Sequence, residues 1–354
     1  MKIAFLGDIA VFENELLNNN WKQGLKEVRD VLKKYDLVIA NLETPLTNRK
    51  RTMTCKGIHL KSSSKVIEIL KYLNVGLVCL ANNHICDFGK KGMNDTISLL
   101  ERESINYFGV NNKTYSYDNG NNQLIFGGFC CYSTNGTNYI GKISKSGVNT
   151  LTKKNIIKIL DLAKDNHKMC ILSLHWGDEY SRYANDRQIS LMHQLSKKYS
   201  FILHGHHAHA MQAVEKYDDS ILAYNLGNFC FDDCTSPINK KIHIKQSDIN
   251  KESFILDIEI NNNIISCYKT IGILYDDYKI KIIDNSNKVL FLKKKLKECN
   301  EESYKNESQK MISEQKKENL SKHDIKWFLS KINYYSIGAK ILSYKNKFLY
   351  KKSY

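Results

Sequence analysis

Five short clusters in this chain carry side chains that bind metal ions or move protons. They are Gly7-Asp8, Asn41-Leu42-Glu43, Asn82-Asn83-His84, His175-Trp176-Gly177 and the run His204-Gly205-His206-His207-Ala208-His209. Their donors are carboxylate, amide oxygen and imidazole, without thiolate. That mixture suits Zn2+, Mn2+ or Fe rather than a structural thiolate zinc site. A carboxylate such as Glu43 can bridge two cations. Two cations about 3.5–4 Å apart can activate a water and neutralise charge on a phosphoryl oxygen. An unligated histidine beside them can protonate a leaving oxygen. Each cluster also has a plain structural reading: Asn-Leu-Glu as a cap or turn, a single histidine such as His175 as a hydrogen-bonded core residue. The His204–His209 run is the most specific, because His-x-His spacing lets two rings meet one metal region.

The clusters gain force from what precedes them. Short apolar, β-branched runs read as buried strands: Lys2–Leu6, Leu37–Ala40, Val75–Leu80, Leu124–Tyr132, Met169–Leu174 and Phe201–Leu203. Each cluster follows the end of one of them. Amphipathic stretches lie between: Trp21–Lys34, Ser64–Leu73, Gly89–Glu103, Lys153–Asn166 and Asp186–Tyr199. Ser62–Ser64 is a candidate cap for one helix and Asp186 for another. Alternating strands and helices imply crossover connections and a largely parallel α/β core. In such sheets the carboxyl ends of the strands form the ligand crevice. From Ile238 the pattern turns strand-like, with a hairpin expected from Ser253–Ile260, a turn at Asn261–Asn263 and Ile264–Ile271.

The chain has 354 residues, 42% hydrophobic and 25% charged, which excludes bulk disorder. Two prolines and 18 glycines exclude collagen-like and Pro/Gly low-complexity architectures. The ten cysteines form no CxxC pair, and Cys79, Cys130, Cys131 and Cys170 sit in apolar runs. Buried thiols in a reducing compartment are expected. The apolar run Ile3–Leu6 is too short for a signal peptide and no run of about 18 apolar residues occurs, so a cytoplasmic location is expected. The net charge is +16, which favours an anionic partner without choosing one. Residues 279–354 carry roughly 19 lysines against 8 acids. Within them, 298–319 reads as a solvated helix or linker. The end, from Trp327-Phe328-Leu329 to Phe348-Leu349-Tyr350, interleaves aromatics, aliphatics and lysines. It reads either as a lysine-rich helix packed on its own domain or as a surface for a membrane or partner, giving peripheral attachment to the inner membrane face.

The ordered motifs resemble the CapA family of poly-γ-glutamate and capsule biosynthesis proteins, relatives of the calcineurin-like metallophosphoesterases. The motifs are Gly7-Asp8, Asn41–Pro45, Ala81–Gly89 with His84 and Asp87, His175–Tyr180, Gly205–His209 and Leu226–Phe229. The resemblance covers about residues 1–235. It implies a four-layer α/β/β/α sandwich, placed over 1–275; residues 276–354 are read from their composition as a lysine-rich, largely helical extension. It also implies one or two divalent transition metal ions of the Mn, Zn or Fe type. By motif position, Asp8 resembles the first metal carboxylate, Glu43 the bridging one and Asn83 the amide ligand. His175, His207 and His209 resemble the imidazole ligands, and His84 the catalytic proton donor. Asn82, His206 and Asn228 are expected along the substrate edge, with His206 an alternative to His207 as ligand.

The function implied is metal-dependent hydrolysis of a phosphoester or an anionic surface-polymer intermediate, alongside capsule-synthesis proteins. The alternative is a capsule-polymer assembly or binding factor that turns nothing over. A nucleic-acid phosphodiesterase rests on the charge alone, so nucleic acid is not the expected partner. Two departures stand out. Ordinary metallophosphoesterases have Asp-x-His where this chain, like CapA proteins, has Asp8-Ile9-Ala10. Ala208 replaces the usual proline between the last histidines.

Overall fold

The structure is a computed structural model, and it describes residues 1–12, 20–52, 54–132, 140–141, 147–321, 325, 328–329 and 332–350. Trp327 of the aromatic tail motif lies outside these residues. Two sheets form the core. Edge to edge, the first runs Lys279–Ile283, Ile264–Asp276, Glu252–Asn261, Lys2–Ala10, Leu37–Leu42, Val75–Cys79 and Asn106–Phe108. The second runs Val214–Tyr217, Ser220–Ala223, Phe201–His206, Met169–His175, Gln123–Cys130 and Tyr115–Asp118. The middle strands of each are parallel. They are buried almost without interruption, as expected of parallel strands covered on both faces. With helices on the outer faces, this is the four-layer α/β sandwich.

The two sheets meet face to face. His204, inside the strand Phe201–His206, reaches across with its ring. Its Nε2 donates to Leu6 O at 2.8 Å, and Ser173 Oγ donates to its Nδ1 at 2.9 Å. His204 is therefore a cross-link between layers, with the tautomer set by its two partners.

The strand Lys2–Ala10 changes partner partway along. Lys2–Phe5 pair antiparallel with Leu256–Glu259, whereas Asp8–Ala10 pair parallel with Asn228–Phe231. The register is irregular on both sides of the change. The exchange needs a residue without a side chain: a Cβ on Gly7 would sit 1.9 Å from Gly227 O. The result is an opening in the sheet at Asp8, a switch point of the kind that forms ligand crevices in α/β folds.

Several sequence expectations shift in detail. The first strand runs on through Asp8 to Ala10 because Asn228–Phe231 supplies a new partner. The first helix divides into Trp21–Gly24 and Lys26–Leu32 around Leu25. Asp186 is the first helical residue rather than the cap. Asn185 caps instead, in a reciprocal pair with Gln188. The Ser62–Ser64 segment forms no side-chain cap. The Ser253 hairpin forms as Glu252–Asn261 and Ile264–Asp276, then gains the strand Lys279–Ile283. The sheet thus claims residues beyond 275. Alternating lysine and isoleucine in Lys279–Ile283 hid a short edge strand inside a charged stretch. The helix Glu302–Ser321 is not free: Tyr304 is buried, stacks on Tyr183 at 4.7 Å and donates to Ala184 O at 2.8 Å.

Candidate metal centre

Asp8 and Glu43 are fully buried and share one neighbour. Asn41 Nδ2 donates to Asp8 Oδ1 at 2.9 Å and lies 3.4 Å from Glu43 Oε2. Asn41 is held in turn by Asn82, whose Nδ2 donates to Asn41 Oδ1 and Leu42 O. Burial and the nearby Asp8 charge push Glu43 well above the usual carboxylate range. Burial would also raise Asp8, but His206, His209 and His175 hold it below its ordinary value. Two buried carboxylates this close resist carrying two charges unless a cation joins them.

The rest of the site converges on that pair. His175 Nε2 lies 3.1 Å from Asn83 Oδ1, 3.1 Å from His207 Nδ1 and 3.8 Å from Glu43 Oε1. One nitrogen carries at most one proton and cannot satisfy this crowd. Glu43 Oε1 is buried without a hydrogen-bond partner. Asp8, Glu43 and His175 aim ligand atoms that lie within 4.8 Å of one another. His209 brings Nε2 to 3.7 Å from Glu43 Oε1 and Nδ1 to 3.7 Å from Asp8 Oδ2. The chemistry of the donor set, the orphaned carboxylate oxygen and the crowded nitrogens all fit a divalent cation.

The backbone is strained where it delivers these groups. His207 has φ +94°, His209 φ +54° and Tyr180 φ +66°, all in the left-handed region. Such residues persist only where surroundings impose them. Here Tyr180 N donates to Ala208 O at 2.8 Å, and His207 N reaches Asp8 Oδ2 at 3.3 Å. Gly205 is the other forced position, since a Cβ there would meet Tyr224 O at 1.8 Å.

Beside the donors sits a second, charged cluster. His84 Nδ1 lies 2.7 Å from Asp87 Oδ2. Lys56, itself buried, donates to Asp87 Oδ1 at 2.8 Å and Asn83 O at 2.7 Å, and lies 3.1 Å from His84 Nδ1. Burial first, then the Lys56 charge, lower His84 to about 4. Burial opposes ionisation of Asp87, but Lys56 and His84 lower it to about 2. His84, Asn83, His209, Lys56, Glu179 and Tyr180 line a cavity of about 280 Å3. Ile58, Leu60, Phe231 and Ile244 add apolar lining to it.

The six residues expected to hold metal do come together. The three expected along the substrate edge lie one layer deeper. Asn82 is fully buried and bonded on both ends of its amide, its Oδ1 accepting from His84 N and Ile85 N. His206 is buried with Nδ1 2.8 Å from Asp8 Oδ1, and neither ring nitrogen makes a hydrogen bond. Asn228 is buried, with Oδ1 2.9 Å from His209 Nδ1, and it donates to Gln246 Oε1 at 3.0 Å. Asn82 and Asn228 hold other polar groups in place, because strand-end polar residues alternate between the cavity and the layer beneath. Lys56, Glu179 and Tyr180 were not singled out by sequence. Lys56 lies in a loop without a motif. Glu179 and Tyr180 were within reach, inside His175–Tyr180.

A carboxylate pair, an amide and three imidazoles thus gather at the parallel strand ends of a four-layer sandwich. Comparison with known proteins narrows this. Residues 2–233 match the model of the bacterial capsule synthesis protein family PGA_cap, and the chain belongs to that family. It is 30% identical over 243 residues to the PGA biosynthesis protein CapA of Bacillus subtilis (strain 168), covering 66% of this chain and 63% of that one. It is 29% identical over 248 residues to the capsule biosynthesis protein CapA of Bacillus anthracis, covering 66% and 60%. The match thus spans less than two thirds of either relative. The calcineurin-like phosphoesterase YfkN from Bacillus subtilis superposes with a TM-score of 0.37 at 13% identity, over 80% of this chain and 88% of that one.

Proposed function

We propose that this chain is a metal-dependent hydrolase acting on a phosphoester or a related anionic intermediate of a surface polymer. One observation carries the reading: Asp8, Glu43, Asn83, His175, His207 and His209 converge at the sheet opening, beside a cavity walled by His84. Those six would hold one or two divalent ions of the Mn, Zn or Fe type. Such an ion supplies Lewis acidity toward a phosphoryl oxygen and an acidified water.

The protein's own groups do the rest. Asn41 fixes the Asp8 carboxylate from behind through its hydrogen bond to Oδ1, with the His206 ring packed against the same oxygen. Asn228 holds His209 through Nδ1, leaving Nε2 toward Glu43, as outer groups do for metal-binding imidazoles. Asp87 holds His84 through Nδ1, leaving Nε2 for the cavity. Burial and the Lys56 charge disfavour the protonated His84 ring in the resting site. An anionic group entering the cavity offsets the Lys56 charge and favours the protonated ring, which then donates to a leaving oxygen. The cavity's apolar lining, from Ile58, Leu60, Phe231 and Ile244, takes the uncharged part of the substrate. On this reading the chain works with capsule-synthesis proteins, as the relatives' names suggest.

A second reading, an assembly factor without turnover, has its own support. Ile9 and Ala10 are buried and apolar where ordinary metallophosphoesterases offer a further imidazole. Elemental analysis and turnover of bis-p-nitrophenyl phosphate decide between them. The hydrolase reading expects bound transition metal, lost in H207A/H209A, and many turnovers per chain. Bound metal without turnover of phosphodiesters or phosphomonoesters favours the assembly factor. A chain empty after incubation with Mn2+, Zn2+ and Fe2+ ends the metal reading.

A further inference from the structure

The helix Tyr334–Tyr350 presents two contrasting faces. Its inner face packs on the loop that carries Lys56. Tyr335 meets the His59 ring edge-on at 5.1 Å, and Gly338 sits so close to Cys55 that an added Cβ would lie 2.5 Å from the Cys55 Cβ. Ala339 lines the cavity itself. Its outer face carries Ile337, Ile341, Tyr344 and Phe348, exposed by 54%, 66%, 75% and 90%. Their spacing of four, three and four residues makes one stripe about 17 Å long. Monomeric proteins rarely leave such a stripe without a partner.

Charge selects the partner. From Ile325 to Tyr354 the sequence has 7 lysines and no acid. Lys340, Lys345 and Lys347 are exposed on the helix beside the stripe. A second copy would bring lysines against lysines, with no acidic partners of the kind that flank paired helices. The helix is not long and apolar enough to cross a membrane. An apolar stripe flanked only by lysines fits the headgroup boundary of an anionic bilayer. We propose that the Tyr334–Tyr350 helix docks on an anionic lipid surface through Ile337, Ile341, Tyr344 and Phe348. Because Ala339 lines the cavity from the opposite face, docking sets the cavity about one helix diameter, roughly 10 Å, from the lipid. The substrate class that follows is one whose anionic group sits at headgroup level. That last step rests on the hydrolase reading; the lipid contact does not.

Flotation of the full chain with vesicles tests the contact. Vesicles of phosphatidylcholine with phosphatidylglycerol are expected to bind it, phosphatidylcholine alone far less, with binding weakened by salt. I337E/I341E/F348E should lose binding by more than tenfold while keeping the wild-type metal content and melting temperature. Should that variant misfold, K340Q/K345Q/K347Q keeps the stripe and should weaken anionic binding roughly a hundredfold at low salt. No binding of the wild type to anionic vesicles at low salt overturns the proposal. So does unchanged binding by a folded acidic or glutamine variant. A wild-type dimer that I337E/I341E/F348E dissociates, without lipid binding, assigns the stripe to a second copy instead. Metal content and phosphodiester turnover measured on the same samples report the hydrolase reading separately.

Discussion

His84 Nδ1 lies 2.7 Å from Asp87 Oδ2, so one carboxylate fixes which nitrogen the ring offers the cavity. The same carboxylate is gripped at its other oxygen by Lys56. If His84 donates the leaving-group proton, H84A should lower kcat on a confirmed phosphoester by about 10²–10⁴-fold. D87N should lower it by a smaller factor and leave metal content unchanged. A loss below tenfold for H84A removes His84 from the chemistry.

The Lys56–Asp87 pair should also matter for stability, because both partners are buried. Breaking such a pair typically costs about 3–5 kcal/mol, since the remaining charge is left unpaired. K56M is therefore expected to destabilise strongly, and K56M/D87N to recover part of the loss. Urea unfolding measures both.

The pH dependence follows from Asp87. Its carboxylate titrates near 2 in the fold, against about 3.9 when unfolded. A lowered folded value means that its contribution is complete above about pH 4. It is lost as pH falls toward 2, where the native carboxylate takes up its proton. The stability gap between wild type and D87N should thus be constant from pH 7 to 5 and shrink below 4. A gap that widens on acidification contradicts the assignment.

How far could the sequence be read? The strands were legible because parallel strands buried on both faces are continuous apolar runs, as in Lys2–Leu6 and Met169–Leu174. The candidate donors could be singled out because they lie at or just beyond the ends of those runs. The depth of each donor was not. Asn82 and Asn83 are neighbours, yet one braces Asn41 and the other faces His175. Only the pairing of chain segments distant in sequence decides that. Lys56 was hidden for the same reason, since its partners lie 27 to 31 residues away. The strand Lys279–Ile283 was masked by its lysines, which face outward from an edge.

Asn228 offers a test of the deeper layer. Its Oδ1 meets His209 Nδ1 at 2.9 Å, so it sets the ring's orientation without touching the cation space. Outer groups of this kind typically contribute about 10–100-fold in metal affinity. N228A should weaken binding by that range in a competitive chelator titration, with secondary structure unchanged by circular dichroism. N228D, which keeps an acceptor at Oδ1, should recover most of the affinity. Equal affinities in N228A and wild type would show that His209 is held by other contacts.

The sheet opening makes the sharpest steric prediction. Gly7 faces Gly227 O where the first strand exchanges one partner for another, and an added Cβ would lie 1.9 Å from that oxygen. Both sides of the contact are backbone, so no side chain can rotate away. G7A must push apart Asp8 and Asn228, which are in register across this junction. Large losses of stability come from such overpacking, typically 1–3 kcal/mol and more where the backbone must shift. Metal affinity should fall with it, because Asp8 and the Asn228–His209 contact move together. G76A is the matched control: Gly76 lies in the same sheet, two strands away on Val75–Cys79, and its nearest atom to an added Cβ is the Leu37 side chain at 3.8 Å. G76A should therefore be near neutral in both urea unfolding and metal titration. Equal behaviour of the two variants would mean that the junction at Gly7 is looser than its geometry implies.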